Sequence, residues 1–202
     1  MKQIRTLSVA AVIAALFVPA VAQAQAPVTA TAASEDARLT AFLDAEFAEW
    51  VKINPQLATR LGSKKGGDKW NDIGDATASA QVKWRQASAD RMKAQFDRAR
   101  LSPEARVNYD IWALEADRAA LSEANRLYRP PLYSRLYSAH SQLPDFLVNT
   151  HNVADAADLT NYTGRLRGIP AVLDVAIARS KASAAAGIRA PKFQIETIIS
   201  GS

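Results

Sequence analysis

An all-α fold is what the sequence predicts, and three observations predict it. Apolar residues recur at spacings of three and four along nearly the whole chain. No segment alternates apolar and polar residues between turn signals as a strand does. Proline and glycine fall where they cut the periodic stretches into helix-length pieces. Helices of this kind bury their apolar stripes against one another, so the architecture expected is an antiparallel helical bundle. The organisation expected is a signal peptide over 1–24, a flexible linker over 25–33 and a helical domain over 34–202.

The leader rests on three features in order. Lys2 and Arg5 form a basic start, an uncharged apolar run follows from Leu7 to Val18, and Ala20, Ala22, Ala24 and Ala26 supply the small-residue spacing a signal peptidase reads. Cleavage is expected after Ala24, because a cut after Ala26 would leave Pro27 at the new terminus. The run is shorter than the roughly 20 residues a membrane-spanning helix needs. No Arg-Arg pair is present, which points to the general secretion route. The protein is therefore expected to be exported, to a periplasm or to the outside.

The first helix is expected to start at Ser34, a good N-cap, with Glu35 and Asp36 in the first turn where the helix dipole favours acids. Leu39, Phe42, Leu43, Phe47, Trp50 and Val51 form its apolar stripe, and Asn54-Pro55 stops it, since the residue before proline leaves the helical region. Pro55 opens a short helix ending at Gly62. Residues 63–75 are rich in Gly, Lys and Asp and read as a surface loop; Gly66-Gly67 lacks the spacing of a phosphate-binding loop.

A helix over 77–99 carries Val82, Ala89, Met92 and Phe96 on one stripe. Ser102-Pro103-Glu104 starts the next, with Val107, Ile111, Leu114 and Leu121 as its expected core face. Arg118 falls on that stripe and reads as a residue whose stem packs while its head reaches water. Pro130-Pro131 and Pro144 forbid a continuous helix over 128–145. Asp155 is an N-cap with Asp158 in the first turn, and Leu159, Tyr162, Leu166, Ile169, Leu173 and Ala176 are expected to continue one apolar face. Gly168 and Pro170 are expected to break or kink that helix, Gly187 to end it, and Pro191 to begin another.

The chain has 202 residues and a formal charge of +5, of which the leader supplies two positive charges. No block of like charge occurs, so a nucleic-acid partner is not expected. With no cysteine there is no disulfide, no thiolate metal site and no cysteine nucleophile, and the fold must stand on packing. A zinc hydrolase typically places two histidines one turn apart on a helix. Here there are two histidines in all, His140 and His151, with Asp145 and Asp155 nearby, and ordinary surface or satisfied histidines are the plainer reading. The pairs Glu115 with Asp117 and Asp155 with Asp158 read as helix-surface and capping residues. Residues 128–145 are the most chemically mixed segment: either a cleft lining that combines aromatic and guanidinium groups to stack and recognise carboxylates, or else a connector that packs its tyrosines over the bundle. Any cleft-facing residues are expected within 128–151. Tyr133, Arg135, Tyr137, His140 and His151 are accordingly the expected cleft-lining residues, and no residue is assigned as catalytic.

Four patterns then occur in order: Asn54-Pro55 followed by Gly62; Leu101-Ser102-Pro103-Glu104-x-Arg106-x-x-Tyr109-Asp110; Tyr162-x-x-Arg165-Leu166-x-x-Ile169-Pro170; and Ala186-Gly187-Ile188-x-x-Pro191. Together they resemble the N-terminal part of the bacterial domain-of-unknown-function 885 family. The resemblance implies a longer, largely helical, exported or lipoprotein-like protein akin to zinc metallopeptidases of the gluzincin kind. It also implies a His-Glu-x-x-Pro-Gly-His-His motif in the C-terminal half, where histidines would bind zinc and the glutamate would activate a metal-bound water. Nothing in residues 1–202 matches that motif, and neither His140 nor His151 is followed by a glutamate. The chain is therefore expected to be an incomplete N-terminal part of a larger helical protein, with no cofactor or metal of its own. Zinc and a peptide or other small substrate are implied for the full-length form, and no membrane association after the leader is removed. The alternative expectation is a non-enzymatic helical binding or scaffold module of the cell envelope.

Overall fold

The computed structural model describes residues 30–129, 131–132 and 138–200. Those residues form seven α-helices and no strand: α1 Ala30–Lys52, α2 Pro55–Arg60, α3 Asp75–Gln95, α4 Pro103–Ala124, α5 Ala139–Asn149, α6 Ala156–Ala185 and α7 Lys192–Ser200. The fold is all-α, as the periodicity predicts. Among the described residues, no helix is long and apolar enough to cross a membrane. The leader and its expected cleavage point at Ala24 lie outside the described residues.

α1, α3 and α4 share one apolar core. Leu39, Met92, Phe96, Leu101, Ala105 and Tyr109 are its buried members, with Phe42, Leu43, Trp112 and Ala113 packed against them. The pairings fix direction. Trp112 donates to Ser88 Oγ at 2.9 Å and Ser79 donates to Glu123 at 2.7 Å, so α4 runs antiparallel to α3. Phe42 meets Phe96 edge-on, Glu46 takes both bonds of Arg91 at 2.7 Å, and Trp50 stacks on Trp84 at 5.5 Å, so α1 is antiparallel to α3 as well.

Several boundaries differ from expectation for identifiable reasons. α1 begins at Ala30, not Ser34, because the alanine-rich run ahead of Ser34 has high helix propensity. Asp36 is therefore not a first-turn acid; its carboxylate accepts the Ser102 backbone N–H at 3.1 Å and ties α1 to the start of α4. α3 ends at Gln95, before the expected 99, because Phe96 turns extended and drops its ring into the core. On α4 the expected core face is the exposed one: Val107, Ile111, Leu114 and Leu121 are each at least 45% exposed, while Ala105, Tyr109 and Ala116 are buried. Two stripes compete on that helix, and the one that carries Tyr109 and Trp112 faces the shared core. Arg118 follows the exposed stripe and pairs with Glu115 at 2.8 Å.

Proline is better tolerated than expected. α5 runs through Pro144, which lies in its second turn, where its missing N–H removes a single helical bond. α6 runs unbroken through Gly168 and Pro170 for 30 residues, but its expected apolar face is not the buried one throughout: Leu159 and Leu166 are exposed, whereas Arg165 and Ala176 are buried. Gly168 is explained by what lies against it: a Cβ there would sit 3.1 Å from Trp70 Cδ1. The cap expectations fare well. Ser102 Oγ accepts the Ala105 N–H at 3.2 Å, Asp155 accepts that of Asp158 at 2.8 Å, and the Pro191 carbonyl accepts that of Gln194. Gly62 and Gly187 end α2 and α6 in left-handed turns, each with two reverse backbone bonds from the glycine and its successor.

Candidate functional site around Arg165

The 63–74 loop reads as a solvated surface loop in the sequence, but it is laid along α6. Three glycines make the approach close. Added Cβ atoms would come within 2.8 Å of Asn161 at Gly67 and within 2.9 Å of Asp68 at Gly164, besides the Trp70 contact at Gly168. Asn161, Gly164 and Gly168 lie one turn apart on the same face of the helix. Arg165 sits in the middle of that face and is 0% exposed.

The Arg165 guanidinium cannot be left dry and unpaired, since burying a charge without hydrogen bonds is costly. Its Nε donates to the Lys69 carbonyl at 2.9 Å, Nη1 to His151 Nδ1 at 3.0 Å, and Nη2 to Thr59 Oγ1 at 2.8 Å and the Pro55 carbonyl at 3.3 Å. Its Cζ lies 4.8 Å from the Phe146 ring centroid and 5.6 Å from that of Trp70. Trp70 closes the ring of contacts by donating its indole N–H to the Arg165 carbonyl at 2.8 Å. One side chain thus ties together α2, the loop, α5, the α5–α6 connector and α6. No carboxylate bonds to it; every acceptor is neutral. Burial pushes its pKa down, and Asp68 acts against that.

His151 is 8% exposed and its ring meets Tyr162 edge-on at 5.3 Å. Because a guanidinium has only donors, the Nδ1 facing it must accept. Neutral His151 therefore carries its proton on Nε2. Burial first, and the Arg165 charge second, lower the His151 pKa from its ordinary value of 6.5.

Beside this hub is a pocket of about 170 Å³ lined by residues of α2, the loop, the α5–α6 connector and α6, His151 and Asp158 among them. Lys64 reaches across its rim to Asp155 at 2.8 Å and Asp158 at 2.9 Å. Asp158 Oδ2 also accepts the Ala154 N–H at 3.1 Å. These bonds, Lys64 foremost, lower both aspartate pKa values and raise that of Lys64.

Of the residues expected to line a cleft, Tyr133, Arg135 and Tyr137 lie outside the described residues. His151 lines the pocket, whereas His140 stands half-buried in the first turn of α5 and is not part of it. Asp145 accepts from Asn149 at 2.8 Å and Asp155 is held by Lys64, so neither faces His151 as a co-ligand. Among the described residues, no group of three or more His, Asp or Glu could hold a metal ion. Periodicity does not single out Arg165. The available signal was its place in the Tyr162-x-x-Arg165 pattern, flanked by two glycines that let another segment approach.

No curated protein and no solved structure matches the chain. A family model, described as a bacterial protein of unknown function (DUF885), matches residues 55–202, which span the Arg165 hub, the pocket and helices α2 to α7; the chain belongs to that family.

Proposed function

We propose that this chain is the supporting helical portion of an exported hydrolase resembling zinc-dependent peptidases, in which the described residues build and brace the wall of a substrate cleft. The observation that carries the reading is where the recognised patterns sit. Asn54 caps the end of α1 by donating to the Trp50 carbonyl, and the Pro55 carbonyl binds Arg165. Arg106 donates to the carbonyls of Arg98 and Ala99, Asp110 takes a two-pronged bond from Arg98, and Tyr109 is in the core. Gly62 and Gly187 end helices, and Arg165 is the hub. Each is committed to architecture, and none is a free acid, base or nucleophile.

The zinc implied by the resemblance does not fit the described residues, which offer no ligand set. No step through a metal is assigned to them.

Elemental analysis and a peptidase assay on the purified chain test this. The expected result is no stoichiometric zinc and no turnover. One tightly bound zinc per chain, lost in His151→Ala, would move the chemistry into this chain and overturn the reading. Translating the coding sequence downstream of codon 202 is the complementary check: a His-Glu-x-x-Pro-Gly-His-His-like motif supports the hydrolase, and its absence favours a binding module. Export is tested separately by fusing residues 1–33 to a phosphatase that is active only outside the cytoplasm. Phosphatase activity is expected, and a silent fusion would refute the leader.

A further inference from the structure

We infer that the pocket beside Arg165 is a binding site for a small, uncharged, hydroxyl-rich ligand of monosaccharide size. The inference stands independently of the peptidase reading, because it concerns groups that the bracing role leaves unused.

Three observations narrow the ligand. The first is charge. The lining contains one cation, Lys64, and one carboxylate, Asp158, and they neutralise each other at 2.9 Å. An anion would have to displace Asp155 and Asp158 from Lys64, and a cation would have to displace Lys64 from the carboxylates. A neutral ligand disturbs neither.

The second is the supply of unspent hydrogen-bonding groups. The side chains of Thr150, Asn152 and Asn161 line the pocket and bond to no other described residue. Two amides and a hydroxyl offer both donors and acceptors, which is what vicinal hydroxyls require. The His151 ring is held in one tautomer, since its Nδ1 is taken by Arg165 and the proton is left on Nε2. A preset tautomer lowers the cost of ordering the site when the ligand arrives.

The third is size and rigidity. A volume of about 170 Å³ holds roughly five or six waters at about 30 Å³ each, comparable to one sugar ring. The walls come from elements the Arg165 hub already locks, and Gly67 keeps the loop wall clear of Asn161. The pocket is therefore preformed.

The test is ligand-observed NMR on the full chain with glucose and N-acetylglucosamine, and with inorganic phosphate and glycylglycine as charged competitors. Saturable binding of at least one sugar is expected, with millimolar affinity, and weakened about tenfold, the worth of one or two hydrogen bonds, by Asn161→Leu. Phosphate and glycylglycine should not compete. Asn152→Ala, on an exposed side chain, gives a second reading should Asn161→Leu fail to fold, and it should weaken the same sugar. The proposal is overturned if neither sugar saturates, if phosphate or glycylglycine occupies the pocket instead, or if a folded pocket variant binds as well as the parent.

Discussion

The three-helix pack of α1, α3 and α4 and the assembly of α2, the 63–74 loop, α5 and α6 are held by opposite means. The first closes over Leu39, Met92, Phe96 and Leu101, each nearly inaccessible to solvent. The second closes over a guanidinium bonded to two backbone carbonyls, a hydroxyl and an imidazole, with aromatic rings on its flank. Apolar packing is non-directional and tolerates compensation. A buried cation has fixed donor directions, and removing it leaves its acceptors buried and unpaired. The second region is thus specified by a few residues and the first by many.

Arg165→Ala should have the largest effect, about 3–5 kcal/mol, read by urea denaturation. Hydrogen exchange should show lost protection in 55–74 before any loss in α3 and α4. A cost below that of a core truncation, or uniform loss of protection, would show that the hub does not govern its own region. Met92→Ala removes a fully buried side chain from the apolar pack and should cost about 3 kcal/mol. Here α3 and α4 should lose protection first.

Acid should separate the regions without mutation. Folded His151 has its pKa below 6.5, so the unfolded chain takes up a proton first as pH falls. Stability should therefore drop below pH 6.5, at no more than about 1.4 kcal/mol per pH unit, until the folded state is protonated too. At that point Nδ1 can no longer accept from Arg165. His151→Gln, which keeps an acceptor but does not titrate, should flatten this part of a stability-versus-pH curve; an unchanged curve would show another group to be responsible. The smallest effect expected is that of Ser102→Ala, about 1 kcal/mol from a lost helix cap, measured as a melting shift with no preference for either region.

Legibility in the sequence follows the same division. The α1 and α3 stripes are visible because apolar burial leaves a period, and Leu39, Ala89, Met92 and Phe96 are where that period places them. α4 misleads because it carries two stripes, and its aliphatic Val107, Ile111, Leu114 and Leu121 lie on the exposed one. Residues 63–74 have no period at all. Their placement depends on backbone carbonyls, which every residue has, and on glycines whose role is to make room. Of the pocket, His151 is legible as a residue type, while the partners that fix its tautomer come from distant segments. Asp155 and Asp158 are legible as cap and first-turn acid, but not as the anchor for Lys64.

The bonds that Arg165 makes to Pro55, Thr59 and Lys69 span 96 to 110 residues of chain. α3 and α4, by contrast, join through partners as near as 24 residues apart. Loop closure over the longer span is entropically slower. During synthesis the helical hairpin of α3 and α4 can close while α6 has yet to be made, and residues 55–74 must wait uncovered until Arg165 emerges. The arginine thus sets an order of assembly, in which one of the earliest segments of the domain is among the last to find its place.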